Sequence, residues 1–248
     1  MGMQVTGPLA GYKVIDLTTM VAGPFATMLL GDQGADVIKV EIRGRGDHVR
    51  ATANQQGGFS ASFLNNNRNK RSITLDLKRP EGRDLLHRLA ASADVLVQNF
   101  RPGVVERLGI AEADIRPHAP KLVYISMSGF GDKGPYVHKP VYDPIIQAVS
   151  GLASVQGGGD NLRPRLVRTV VPDKVTALTA SQAITAALLA RERSGEGQHI
   201  TLNMLDAMMQ FLWSSDMGGQ TFVENPFPQH RVSAFNDLIY ATADGHMA

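Results

Sequence analysis

The first half of the chain alternates short β-branched runs with helical patterns. Lys13–Thr18, Asp36–Glu41, Ser72–Leu77, Asp94–Phe100 and Lys121–Met127 read as strands. Between them, Pro24–Gln33, Pro80–Ala91 and Pro102–Leu108 read as helices. Proline costs nothing in a first turn, where its missing N–H would have no partner. In Pro80–Ala91 the side chains Leu85, Leu86 and Leu89 share one face. Strand, helix, strand at this spacing means βαβ units, hence a parallel α/β sheet with helices on both faces. Such sheets bind ligands beyond the carboxyl ends of their strands. Those ends are Leu17–Pro24, Glu41–Asp47, Asn99–Gly103 and Ser128–Gly131, and each carries glycine, alone or with proline.

Further along, Gly151–Pro172 reads as a loop. The run Gly157-Gly158-Gly159 in it lacks the Lys-Ser/Thr ending of a P-loop and reads as a turn. A strong helix over Val175–Arg193 holds six alanines and ends near Gly195. Gln198–Met204 is a strand, and Leu205–Trp213 starts another helix. Phe222–His230 is punctuated by proline and reads as a linker, and Tyr240–Gly245 begins a strand and turn.

Composition narrows the chemistry. With 43% apolar and 19% charged residues, the 248-residue chain can fill a sizeable core. It has no cysteine, which excludes disulfides, thiolate metal sites and cysteine nucleophiles and fits a reducing compartment. A net charge of +2 gives no reason to expect nucleic acid as a partner. No apolar run reaches the roughly 18 residues of a membrane helix. The N-terminus lacks the basic-then-apolar layout of a signal peptide, so the expectation is a cytoplasmic protein with no membrane partner. The seven histidines show no ligand spacing, and no metal is expected.

Asp173 stands just before the alanine-rich helix. Aspartate is a favoured N-cap, and a carboxylate there is held ionised by the helix dipole. It can also attack a thioester. The two roles are compatible.

In order, the segments Val14–Leu17 with Ala22–Pro24, Gly34–Glu41 with Gly46-Asp47, Asn69–Ser72 with Leu75–Lys78, Asn99–Gly103, Tyr142-Asp143 with Gln147 and Ser150-Gly151, Asp173, and Arg191–Gln198 resemble the class III CoA-transferases. That family includes formyl-CoA transferase, carnitine CoA-transferase and the α-methylacyl-CoA racemases. The resemblance implies the Rossmann-like large domain of the family, truncated, with residues 1–218 as a CoA-binding α/β domain. Residues 219–248 would be a linker towards a small domain and its glycine-rich loop. It also implies an interlocked homodimer. A CoA thioester would be substrate rather than permanently bound cofactor, with an acyl-CoA donor and a carboxylic-acid acceptor. Asp173 would be the catalytic carboxylate, carrying the acyl group as a mixed anhydride and then CoA as an aspartyl thioester, resolved by the acceptor carboxylate. Leu75, Lys78, Asn99, Phe100 and Arg107 would surround the adenosine end, and Met20, Val21 and Ala22 the pantetheine. Arg43, Arg45, Arg50, Lys78, Arg101 and Arg107 are candidates for the phosphates, which favour arginine, lysine and backbone N–H groups. Ile42 stands where formyl-CoA transferase has arginine, with Arg43 next.

Tyr142 separates the branches. The racemases place a histidine there as a proton carrier, whereas a phenol with a pKa near ~10 is a poor base. Transferase is therefore expected over racemase or epimerase. A third reading is a fragment, ending at Ala248, that binds CoA weakly or only assembles. Neither the acyl group nor the acceptor acid is legible.

Overall fold

The computed structural model describes residues 6–52, 54–157, 163–222 and 240–247. In chain order the first elements are β1 (Lys13–Asp16), α1 (Ala22–Asp32) and β2 (Asp36–Glu41). A single 3₁₀ turn (His48–Ala51), a two-residue hairpin of β3 (Gln55–Gln56) and β4 (Phe59–Ser60), and α2 (Ala61–Asn67) follow. Next come β5 (Lys70–Thr74), α3 (Pro80–Ala91), β6 (Val95–Gln98), α4 (Val104–Leu108), α5 (Glu112–Ile115) and β7 (Val123–Ser128). The rest are α6 (Asp143–Val149), α7 (Leu152–Gly157), α8 (Val171–Ser194), β8 (His199–Asn203), α9 (Met204–Trp213), a 3₁₀ turn (Gly218–Gln220), β9 (Tyr240–Ala241) and β10 (His246–Met247).

The main sheet has six strands in the order β5-β2-β1-β6-β7-β8, and every pair is parallel. Its central strands are buried on both faces, as their Val/Ile/Leu-rich runs require, and in β2 even the interrupting Lys39 is buried. Alternate residues therefore enter different cores. Val14, Val95, Val97 and Ile125 pack with α1 and α8, through Ala26, Leu30, Ala177, Ala180 and Ile184. Ile15, Leu96 and Tyr124 face the other way, onto Leu86 of α3, Val105 of α4 and Ile115 of α5. The Rossmann-like α/β expectation is met, with helices on both faces. Strand order reverses at β1, with β2 on one side and β6 on the other, and the crevice there is where such folds bind ligands.

Several local expectations change. α8 begins at Val171 rather than Val175, because Pro172 serves as a first-turn residue. Asp173 thus lies inside the first turn instead of capping it. The stretch read as a loop contains α7, and Gly157 is its last residue rather than part of a turn; Gly158 and Gly159 lie outside the described residues. α2 and the β3–β4 hairpin lack sequence signals, since Asn65–Asn67 suppress helix propensity. What starts α2 is the Ser60 hydroxyl, which accepts the Phe63 N–H at 3.0 Å. Residues 223–230 of the expected linker also lie outside the described residues.

Candidate active site

The β1–α1 loop is the hub. Asp16, the last residue of β1, is fully buried. It accepts the Thr18 N–H and hydroxyl at 2.8 and 2.5 Å, the Thr27 hydroxyl at 2.8 Å, and Lys70 Nζ at 2.9 Å. Burial opposes ionisation of Asp16, but Lys70, Lys39 and these donors outweigh it and hold the carboxyl far below its usual range. Burial in turn pushes Lys70 down to about 8, with Asp16 opposing the fall. Thr19 is clamped from the next strand. Asn99 accepts its N–H at 3.0 Å and donates to its carbonyl at 2.9 Å. Met20 then takes a left-handed φ of 72°, and α1 starts at Ala22.

Asp173 faces this loop across a cavity of about 550 Å³. Met20, Val21, Ala22, Asn99, Phe100, Tyr142 and Asp173 all line it, with Thr19, His48, Arg101, Gly129, Lys139 and Asp143 among the other wall residues. A second cavity of about 430 Å³ is lined by Leu75, Lys78, Phe100 and Arg107, together with Arg45 and His48. Thr19, His48, Phe100 and Val104 line both, so the two spaces are neighbours at the switch point. All eight residues expected around the adenosine and the pantetheine, together with Tyr142 and Asp173, are therefore brought to this pair of cavities. Arg43 is not; it lies exposed on the loop after β2 and lines neither. Among the other arginine candidates, Arg50 is already engaged. It donates to both oxygens of Glu41, at 2.8 and 2.6 Å, and lies 3.8 Å over the Phe63 ring. Burial of Glu41 works against its charge, yet Arg50, Ser72 and the Asp47 N–H bring it down to about 2.

The electrostatics of Asp173 differ from those of an N-cap. Burial and the neighbouring Asp143 raise its carboxyl from 3.8 to about 6. The Ala22 N–H opposes the rise. The dipole of α8 does not dominate. At neutral pH the carboxylate is mostly ionised but more basic than a surface aspartate. Asp143 is nearly fully buried and is held by its own bonds: Gln147 Nε2 donates to it at 2.6 Å, and the Asp173 N–H at 3.1 Å. It thus satisfies a first-turn N–H of α8 and fixes where Asp173 starts. The Asp143/Gln147 spacing of four carries the signal, since it stacks both side chains on one helix face. Tyr142 is 61% exposed at the N-cap position of α6, beside the cavity. His48 and Lys139 line the first cavity with no motif in the sequence to mark them, whereas Thr19 and Gly129 lie at the strand ends expected to meet a ligand. Gly129 has a packing reason, since a Cβ there would fall 2.0 Å from Val141 Cγ1.

Among the described residues, no group of three or more His, Cys, Asp or Glu side chains is placed to hold a metal ion. No helix among them is long and apolar enough to cross a membrane.

The model of CoA-transferase family III matches residues 9–248. The chain is 42% identical over 206 residues to acetyl-CoA:oxalate CoA-transferase of Acetobacter aceti, covering 83% of this chain and 53% of that protein. It is 43% identical over 208 residues to succinyl-CoA:glutarate CoA-transferase of Mus musculus, covering 83% and 47%. A crystal structure of a CAIB/BAIF family protein from Brucella suis superposes with a TM-score of 0.84 at 33% identity, over 97% of this chain and 65% of that one. The chain thus spans about half the length of these two curated relatives.

Proposed function

The chain belongs to CoA-transferase family III, and from that premise we propose that it carries the CoA-binding half of an acyl-CoA:carboxylate CoA-transferase with Asp173 as the group carrier. The observation behind this reading is the placement of a basic, half-buried carboxylate in one cavity, next to a second cavity rimmed by cations. An acyl-CoA has its thioester and its phosphates at opposite ends of a flexible arm. The second cavity offers Arg45, Lys78 and Arg107 to the phosphates and Leu75 and Phe100 to the adenine. The first cavity offers the Met20–Ala22 wall to the pantetheine end and brings the thioester carbonyl to Asp173.

One Asp173 carboxylate oxygen attacks the thioester carbonyl carbon. The C–S bond breaks, CoA leaves as thiolate, and a mixed acyl–aspartyl anhydride remains. The thiolate then attacks the aspartyl carbonyl, releasing the donor acid as carboxylate and leaving an aspartyl-CoA thioester. The acceptor carboxylate attacks that thioester, regenerating thiolate and a new anhydride. Thiolate attack on the acceptor's acyl carbon forms the product acyl-CoA and frees Asp173. No net proton is consumed, so the site needs no general acid, which accords with an exposed Tyr142 where a racemase needs a base. The relatives' names pair an acyl-CoA donor with a dicarboxylic acceptor, and donor and acceptor of those classes are proposed here. A homodimer is proposed with them. Phe211 and Trp213 stand 53% and 47% exposed on α9, while Met208 and Leu212 of the same helix fill the core.

The test is covalent trapping. Incubated with succinyl-CoA and quenched with hydroxylamine, the chain should yield a hydroxamate on the peptide spanning Pro172–Lys174, read by mass spectrometry. Asp173→Asn should abolish it while CoA binding, measured by calorimetry, persists. A hydroxamate that survives in Asp173→Asn would defeat the assignment and turn attention to Asp143.

A further inference from the structure

Lys39 and Asp47 are each about 1% exposed; neither lines the cavity that Asp173 faces, although Asp47 lines its neighbour. A buried ion pair is a poor source of net stability, so what the pair holds in place is the informative question. Lys39 Nζ donates to the Thr18 carbonyl at 2.7 Å and sits 3.0 Å from Asp47 Oδ2, an ion pair that leaves that oxygen without a hydrogen bond. The other oxygen, Oδ1, accepts the Met20 N–H at 3.2 Å and the Val49 N–H at 3.1 Å. The Asp47 N–H donates to Glu41 at 2.8 Å, and Glu41 is gripped by Arg50 and Ser72. Asp47 is thus anchored on one side by β2 and β5 and grips the β1–α1 loop on the other.

That grip falls on a strained residue. Met20 is one of three non-glycine residues with positive φ among the described residues. A side chain in that region costs on the order of 1–3 kcal/mol and persists only where its surroundings over-determine it. Asn99 fixes the residue before it, and Asp47 fixes its own N–H. Two residues later α1 begins, and the Ala22 N–H is one of the helix's unpaired first-turn donors. Ala22 and Asp173 line the same cavity.

We infer that Asp47, held by Lys39, is a positioning residue for Asp173: its bond to the Met20 N–H imposes the left-handed turn that aims the first N–H of α1 at the carboxylate. The inference rests on Asp173 being the group carrier, but its first readout needs no substrate. The perturbations are Asp47→Ala, which removes the acceptor, and Asp47→Asn, which keeps an oxygen for Met20 but sets an amide in place of the oxygen that pairs with Lys39. The Asp173 carboxyl is titrated by ¹³C NMR in the unliganded chain, and hydroxamate formation with succinyl-CoA is timed separately.

In Asp47→Ala the Asp173 midpoint should rise by about half a unit or more, and loading should slow at least about tenfold. Asp47→Asn should leave loading within about twofold. The sign is diagnostic, because deleting a negative charge alone lowers a neighbouring carboxyl's midpoint. A midpoint that stays or falls in folded Asp47→Ala, or an Asp47→Asn as impaired as Asp47→Ala, overturns the inference. Should Asp47→Ala not fold, Asp47→Ser, too short to reach Met20, takes its place under the same two outcomes. A shifted midpoint in a chain that never loads succinyl-CoA would sink the carrier role and leave the clamp standing.

Discussion

Replacing Asp173 by asparagine should make the chain more stable at neutral pH. The folded carboxyl titrates near 6 against 3.8 for the free group, so folding disfavours its ionised form. Below about pH 4 both folded and unfolded states are protonated and the cost vanishes. Between roughly pH 4 and 6 the folded state binds more protons than the unfolded one, so this residue's contribution falls as pH rises. Above about 6 the cost is complete. A shift of about two units corresponds to about 3 kcal/mol, and solvent screening of a half-buried group reduces this to about 1–3 kcal/mol. The helix dipole works the other way, but is worth only about 0.3–1 kcal/mol at such a site. Asparagine keeps the size and one carbonyl oxygen, so the backbone bond to Asp143 survives. Urea denaturation of parent and Asp173→Asn should differ by about 1–3 kcal/mol near pH 7 and converge near pH 4. In thermal melts that is a rise of roughly 2–10 °C for a chain of this size. An asparagine variant less stable than the parent near pH 7 would show that the dipole wins and that Asp173 is an ordinary first-turn carboxylate; a gap that stays open near pH 4 would show that the gain does not come from the charge.

The remaining expectations follow from other contacts. Gly129→Ala drives its Cβ to within 2.0 Å of Val141 Cγ1 and should cost about 1–3 kcal/mol by overpacking, measured by urea denaturation, with loading by succinyl-CoA impaired as the cavity wall shifts. Asp16→Asn strips the buried partner of Lys70 and should cost about 3–5 kcal/mol near pH 7. Because the Asp16 carboxyl is depressed, its stabilisation is present above the unfolded value and lost as pH falls through the folded one, so the variant's acid-unfolding curve should be flatter. Glu41, brought down to about 2, gives the same sign over roughly pH 4.5 down to 2, and Glu41→Gln should shrink the stability lost over that window. Light scattering should show a dimer that Phe211→Ser with Trp213→Ser weakens; a parent that stays monomeric at every concentration would refute the homodimer.

Much of the sheet is legible in the sequence because its strands are buried on both faces and read as short Val/Ile/Leu-rich runs, as in Val95–Val97. The Pro80–Ala91 helix carries both its proline start and its leucine stripe, and its bounds agree with the sequence reading. The start of α8 does not, because Pro172 reads equally as a breaker before a helix or as a resident of its first turn; the Asp143 acceptor that decides between them is 30 residues away. Asn99 shows the same limit from the other direction. The family resemblance puts it beside the ligand and it does line the cavity, but both of its side-chain hydrogen bonds go to Thr19, 80 residues distant. Arginine type alone cannot show that Arg50 is committed to Glu41 while Arg45 faces the second cavity. Pairing is a property of the folded neighbourhood, and only the seven ordered segments together narrow the function.

The site gathers unfavourable terms in a small volume: a left-handed methionine, a carboxyl forced upward by burial and a like charge, and buried lysines near buried acids. Each alone would be selected away in a surface loop. They persist here because the elements around them are rigid for independent reasons. β1, β2 and β6 are locked in a parallel ladder, and α1 packs on α8 through Ala26, Leu30, Ala177 and Ala180, where small side chains let the two helices approach closely. That close approach is also what sets the N-terminus of one helix against the first turn of the other, with Asp173 between them. The core that holds the fold together therefore also sets the Ala22 N–H, which tempers the rise caused by burial and Asp143, against the carboxylate. Loosening it, for instance by enlarging Ala177 or Ala180, should separate the two helix ends, weaken the Ala22 N–H contact that opposes the rise, and move the Asp173 midpoint further above 3.8 before the sheet itself is lost.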